Sequence, residues 1–379
     1  MALPFRLRHV FFAFVLLLHG MGLCVAADNE ASAVAKASVA ANASVIAGDT
    51  EAVLQPVLAL LLPLASPDFA RPAEAVKLGF LAAHKRSGVK LGVGVVATDA
   101  SSASIIAGYD KAVRLGASLI VGPMTRSGVY TLAASTLVSL PTIGLNQPES
   151  NTTLPPQFYT FGLALEAEAQ LVARLAYADF FKSAVLVSAQ GPLAQRSRDA
   201  FAEAWRRIGG TVKAAYEFGP HTDLPALKEK LSTAAVDMIF LAGDAEQARA
   251  VRPFLNNDIA VFATSQVNSG RNDRLANVDL NGIRFVDMPW LVQPDHPAVM
   301  AYPRPQGITG ELERFYALGI DAFRVAAALL ENPRSLGLDG VTGRLTLYGS
   351  QVAREPVQAV FRNGVGVTLD HDAPGEVKR

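Results

Sequence analysis

Residues 279–290 read DLNGIRFVDMPW. The middle of the stretch, Gly282 to Met288, has the apolar and aromatic content of a strand. Pro289 and Trp290 stop it, because proline fixes φ and offers no N–H to a neighbouring strand. Residues 291–379 are still to come. The proline therefore either closes an edge strand or marks the point where the chain leaves one folding unit for another. Which of the two it does decides the fold.

Working outward, residues 57–64 (VLALLLPL) form a continuous apolar run, as in a strand buried on both faces of a parallel sheet. Residues 66–85 open with cap-forming side chains and place Val76 and Phe80 one turn apart, the pattern of a helix packed on that sheet. Strand-like VKLGVGVVATD, ASLIVGP and LPTIGLN then alternate with helix-like SASIIAGYDKAVRLG and TRSGVYTLAASTL. Alternation of this kind predicts βαβ units and a doubly wound α/β lobe.

A second series starts near Phe161. ALEAEAQLVARLAYAD is helical, SAVLVSA a strand, and PLAQRSRDAFAEAWRRIGG a helix closed by Gly209 and Gly210. TVKAAYEF follows, then DLPALKEKLSTA, which Thr222 or Asp223 can cap. VDMIFLAG, DAEQARAVRPFLN and IAVFATS lead to GIRFVDM. The chain ends with a long helix, TGELERFYALGIDAFRVAAALL, and with residues 339–364, which alternate like one antiparallel hairpin.

The chain is 379 residues long, too many for one ordinary core, so two folding units are expected. Half of the residues are hydrophobic and 18% charged, a globular composition. Lys plus Arg and Asp plus Glu are both 34, a balance with no electrostatic footprint for nucleic acid. Arg6, Arg8 and His9 precede the short apolar run of Val10 to Leu18, which reads as a signal peptide. Val25 and Ala27 suit the positions before a signal-peptidase cut, giving a signal peptide over 1–27 and a periplasmic location. The run is too short to span a bilayer comfortably, and no other reaches spanning length. A lipoprotein reading would instead acylate Cys24, the only cysteine, and anchor the chain at the outer membrane. Met21 and Leu23 stand where such signals usually carry leucine and a small residue. Residues 28–53, rich in Ala and Ser, read as a flexible leader.

Two serial α/β lobes, one long helix and then GVTGRLTLYG are similar to the layout of type I periplasmic binding proteins, over about residues 57–367. That resemblance implies two doubly wound Rossmann-like lobes, crossed three times by the chain, with a ligand cleft between them. It places Pro289-Trp290 at the second crossing. Lobe I is expected over 54–162 and 291–340, lobe II over 163–290 and 341–369, and a tail over 370–379. LLLPL, GFLAA, YDKAVRLGASLIVGP, IGLNQP, FATSQVNSG and above all DLNGIRFVDMPWL resemble a narrower group, the penicillin-binding protein activator family of LppC or LpoA-type lipoproteins. This implies a non-catalytic periplasmic regulator that binds and stimulates a class A penicillin-binding protein, a peptidoglycan synthase. The alternative is a receptor for a small ligand, of amino-acid or amide type, serving an importer.

In open α/β lobes ligands sit beyond the C-terminal ends of the strands. In lobe I those ends hold Thr125 and Ser127, either of which can cap the next helix or face an anion, and the polar pair Asn146 and Gln147, a ligand contact or a turn. In lobe II they hold Asp244 and Gln266. Amino-acid receptors carry a carboxylate near the position of Gln266. A neutral amide cannot pair a buried ammonium, which leaves Asp244 as its substitute. Trp290 packs the hinge or, if exposed, anchors a partner.

Catalysis finds little support. His84, His221, His296 and His371 are scattered without metal-ligand spacing, and G-x-S-x-G, P-loop and H-E-x-x-H motifs are absent. The glycines of GVGVVA fall inside a strand rather than after it, so no dinucleotide cofactor is expected. Glu166 and Glu168, two apart on a helix, diverge and read as surface solvation. Trp205, one turn from Phe201, reads as core.

Overall fold

The computed structural model describes residues 57–149, 152–271 and 273–369, which all fall in one compact unit. The expected signal peptide, Cys24, the leader and the tail lie outside the described residues.

The first sheet is built around β1 (Val57–Leu62), paired in parallel with β2 (Gly92–Ala97) on one side and β3 (Ala117–Val121) on the other. β4 (Thr142–Gly144) and β5 (Phe158–Thr160) continue it. The apolar run of β1 is explained by its central place. Leu58, Leu60 and Leu62 enter the core on one face, and Ala59 and Leu61 enter a second core on the other. Helices α1 (Ala70–Ser87), α2 (Ser102–Arg114) and α3 (Arg126–Ala133) join these strands.

The second sheet repeats the plan. α4 (Leu165–Ala178), β6 (Ser183–Ala189), α5 (Pro192–Arg207), β7 (Thr211–Phe218), α6 (Leu224–Ser232), β8 (Met238–Ala242), α7 (Ala245–Val251), β9 (Ala260–Ala263) and β10 (Arg284–Asp287) follow in order. The strands lie as β10-β9-β8-β6-β7. Val185, Val187 and Ala189 face one core and Ala184 and Leu186 the other. Trp205 is fully buried and stacks on Phe201, as its spacing predicts.

After β10 come two short helices, α8 (Pro289–Val292) and α9 (Pro297–Met300), and the long α10 (Glu311–Glu331). α10 packs along α1 at very close range. A Cβ on Gly79 would stand 1.9 Å from the Tyr316 carbonyl oxygen, and one on Gly319 2.0 Å from that of Val76. The two glycines let the helix backbones approach as no larger residue would.

The last segment corrects the sequence reading. Residues 339–364 do not form one hairpin in lobe II. β11 (Gly337–Asp339), β12 (Arg344–Tyr348) and β13 (Gln351–Glu355) extend the first sheet, with β13 parallel to β5. β14 (Val357–Arg362) and β15 (Val365–Thr368) pair with β10 in the second sheet. Residues 341–355 thus belong to lobe I, and the third crossing is Pro356, a proline that cannot donate to either ladder. The fold is two Rossmann-like α/β lobes. The chain passes between them after Thr160, after Asp287 and at Pro356.

Candidate functional site

The strand ends that face the cleft are assembled by local capping. β3 is followed by Gly122, whose φ of 118° and close approach to the Leu61 carbonyl leave no room for a side chain. Thr125 follows as the N-cap of α3, and its Oγ1 accepts from the Gly128 N–H at 3.1 Å. Ser127 is exposed and does not cap. Asn146 ties two lobe I loops together: its Nδ2 donates to the Met124 carbonyl at 3.2 Å, and its Oδ1 accepts from the Gln147 N–H at 3.0 Å. Gln147 is half-buried.

In lobe II, Asp244 caps α7. Its Oδ1 accepts from the Gln247 N–H at 2.8 Å, and the Gln247 side chain returns the bond to the Asp244 N–H at 2.9 Å. That reciprocal pair uses the carboxylate for the helix. Asp244 and Gln266 are brought together in a cavity of about 180 Å³, together with Gln190 and Thr264. None of Thr125, Ser127, Asn146 and Gln147 lines it.

A side chain not singled out in the sequence, Arg126, reaches across from lobe I. Its Nη1 lies 3.1 Å from Glu166 Oε1 in the first turn of α4, and Arg196 Nε approaches the same oxygen at 3.2 Å. Arg126 Nη2 also donates to the Pro148 carbonyl at 3.3 Å. The guanidinium nearest the α3 N-terminus is therefore already paired with a carboxylate of the other lobe.

Where the chain crosses, the lobes are joined by two buried ion pairs. Arg314, in the first turn of α10, inserts its guanidinium among lobe II acceptors. It bonds both Asp287 oxygens, with Nη2 3.0 Å from Oδ2, and donates to the carbonyls of Ser265 at 3.0 Å and Asn268 at 2.7 Å. Asp287 is fully buried, and its remaining capacity is used by Asn268 Nδ2 at 2.8 Å and the Met288 N–H at 2.7 Å. Burial pushes the Asp287 carboxyl above its ordinary range, against the lowering pull of Arg314. Burial also opposes the Arg314 charge, but the Asp287 carboxylate outweighs it and the guanidinium is held more firmly protonated.

The second pair is Arg354 of β13 with Glu168 of α4, each side chain 5% exposed. Glu168 Oε2 accepts from the Ser265 N–H at 3.0 Å, and Arg354 Nη1 donates to the Thr342 carbonyl at 3.1 Å. The expectation that Glu166 and Glu168 are solvated is thus corrected. Glu168 stands on the buried face of α4 with Leu165, Ala169 and Val172, and Glu166 is half-buried in the cleft pair. Beside this junction Asp321 of α10, fully buried, accepts from the Val341 N–H, the Thr342 N–H and the Thr342 hydroxyl.

Pro289 opens α8 immediately after Met288, and both Met288 and Trp290 pack into the lobe I core. Trp290 has no exposed surface. Its N–H donates to the Val341 carbonyl at 2.9 Å and its Nε1 to Glu313 at 3.1 Å. It packs the second crossing and presents nothing to a partner. Among the described residues no group of three or more His, Cys, Asp or Glu could hold a metal ion, and no helix is long and apolar enough to cross a membrane.

The model of the family described as "LppC putative lipoprotein" matches residues 51–233 and 226–364. The penicillin-binding protein activator LpoA of Haemophilus ducreyi is 28% identical over 326 residues, covering 83% of this chain and 54% of the relative. The chain spans about half the length of the curated relatives it matches. Among solved structures, a "putative branched-chain amino acid ABC transporter" from Chromobacterium violaceum superposes with a TM-score of 0.70 at 33% identity, covering 81% of this chain and all of the other. The C-domain of LpoA from Haemophilus influenzae, described as a regulator of PBP1A, superposes with a TM-score of 0.69 at 22% identity, covering 83% and 99%.

Proposed function

Because the chain belongs to the LppC putative lipoprotein family, we propose that it is a non-catalytic regulator in the bacterial envelope that binds and stimulates a class A penicillin-binding protein. The observation that carries this reading is the family match across both lobes, residues 51–364, joined by relatives named as activators. A regulator of this kind must bind the synthase's active state better than its resting state. It needs no reactive centre of its own. The cleft supports the same reading: Arg126 is paired with Glu166 across the lobes, and Asp244 is committed to its own helix. Export, and lipid attachment at Cys24 at the outer membrane, accord with the family's description.

A receptor for a small solute is the second reading, and the name of the Chromobacterium violaceum neighbour favours it. It requires an anion to pair a ligand ammonium; Gln266 is neutral, and Asp244 Oδ1 is engaged in capping α7. The test of the leading reading is to mix the purified chain with a class A penicillin-binding protein and follow glycan polymerisation and crosslinking. Faster product formation that saturates with added chain is expected. An unchanged rate together with no binding would overturn it.

A further inference from the structure

A groove of about 780 Å³ lies where the start of α1, with Asp68, faces the α7 end of lobe II, with Asp244, Glu246 and Asp273. Its lining carries five carboxylates against three guanidiniums, although the chain as a whole has 34 of each sign. Arg249 donates to the neutral Asn277 Oδ1 at 3.1 Å and keeps its charge, and of the carboxylates Glu311 is paired with Arg314 at 3.4 Å, so the lining keeps a small negative excess.

Exposed apolar side chains adjoin the lining in sequence: Leu275 is 88% exposed and Val278 52%, next to the lining residues Ala276 and Asn277. Phe69, next to the lining residue Asp68 in sequence, is also exposed. The loop that carries Leu275 is fixed by its own bonds. The Ala276 N–H donates to Asp273 Oδ1 at 3.1 Å and the Asn277 N–H to the Asp273 carbonyl at 3.1 Å, while Asn277 and Leu280 are buried. Two branched apolar side chains are thus held out in solvent by an ordered turn. Apolar side chains exposed together beside a groove of one net sign mark an interaction surface.

We propose that this groove and its rim dock a segment of a partner protein in which lysine or arginine side chains stand beside apolar ones. The inference rests on the reading as a synthase regulator and names the surface through which it acts. Net negative lining selects the cations and speeds encounter, and Leu275 and Val278 supply the contact that excludes water.

The test is titration of the purified ectodomain of a class A penicillin-binding protein with the wild-type chain, with Leu275→Ser/Val278→Ser, with Glu246→Lys and with Phe180→Ser. Phe180 is 85% exposed and does not line the groove. The double variant is expected to bind roughly tenfold more weakly or worse. Glu246→Lys is expected to bind more weakly at low salt, with the deficit shrinking at high salt. Phe180→Ser should bind as wild type, and all variants should remain folded, Glu246→Lys melting at most about 3 °C lower because it reverses a charge in the first turn of α7. Full affinity in both groove variants, while the wild type binds, would overturn the surface and leave the regulator reading intact. No binding by the wild type would overturn the regulator reading itself.

Discussion

Asp287→Ala is the sharpest probe of how the lobes are joined. Opposite charges 3.0 Å apart, as in Arg314 Nη2 and Asp287 Oδ2, attract by about 5–6 kcal/mol at an effective dielectric constant of about 20. Taking both groups out of water offsets most of that gain. The substitution removes the attraction but leaves the desolvation. Arg314, its side chain 5% exposed, would keep the Ser265 and Asn268 carbonyls and, as its one carboxylate, the half-exposed Glu311, 3.4 Å from its Nε. The Met288 N–H and Asn268 Nδ2 would lose their acceptor. A loss of about 3–5 kcal/mol is expected, read from the urea midpoint of circular dichroism at pH 7. Asp287→Ala/Arg314→Met should recover more than half of it, because no unpaired charge remains buried. A loss below about 1 kcal/mol, the cost of an exposed pair, would refute the reasoning.

Other substitutions follow from the same contacts. Arg126→Ala breaks a pair whose side chains are 28% and 27% exposed, so urea unfolding should shift by no more than about 1 kcal/mol. Gly319→Ala drives a methyl group into the Val76 carbonyl and should cost about 1–3 kcal/mol, whereas Gly337→Ala, with open space around it, should be near neutral. Burial raises the folded-state pKa of Asp321. Its contribution to stability is therefore full below the unfolded value of about 3.9 and is lost as pH rises through the folded one. The melting temperature of the wild type relative to Asp321→Asn should accordingly be more favourable at pH 4 than at pH 8, and a flat difference would contradict this.

The lobes could be read from the sequence because each strand and helix announces itself locally. VLALLLPL is apolar throughout since β1 is covered on both faces, and the helices between strands carry the 3.6-residue period. Pro289 ends its strand abruptly, which left an edge or a crossing open, and the resemblance to type I periplasmic binding proteins placed it at the crossing that the structure shows. The third crossing could not. β13 and β14 alternate in the same way and are separated by Pro356 alone, so only their distant partners, β5 for one and β10 for the other, tell them apart. The ion pairs were half legible. Glu168 shares the apolar face of α4 with Leu165, Ala169 and Val172, and Arg314 shares that of α10 with Ala317, Leu318 and Asp321, which marks both as buried charges. Their partners were not legible, since Arg354 lies 186 residues from Glu168 and Asp287 lies 27 from Arg314. Gln266 and Asp244 line one cavity, but the use of Asp244 as a cap appears only with the Gln247 side chain in view.

The most direct measurement is calorimetric titration of one preparation of the chain with two titrants, a class A penicillin-binding protein ectodomain and a mixture of leucine, isoleucine and valine. A module that acts through its surface, with its cleft spanned by Arg126 and Glu166, should give saturable heat with the first and none with the second. Saturable heat with the amino acids and none with the synthase would contradict the account.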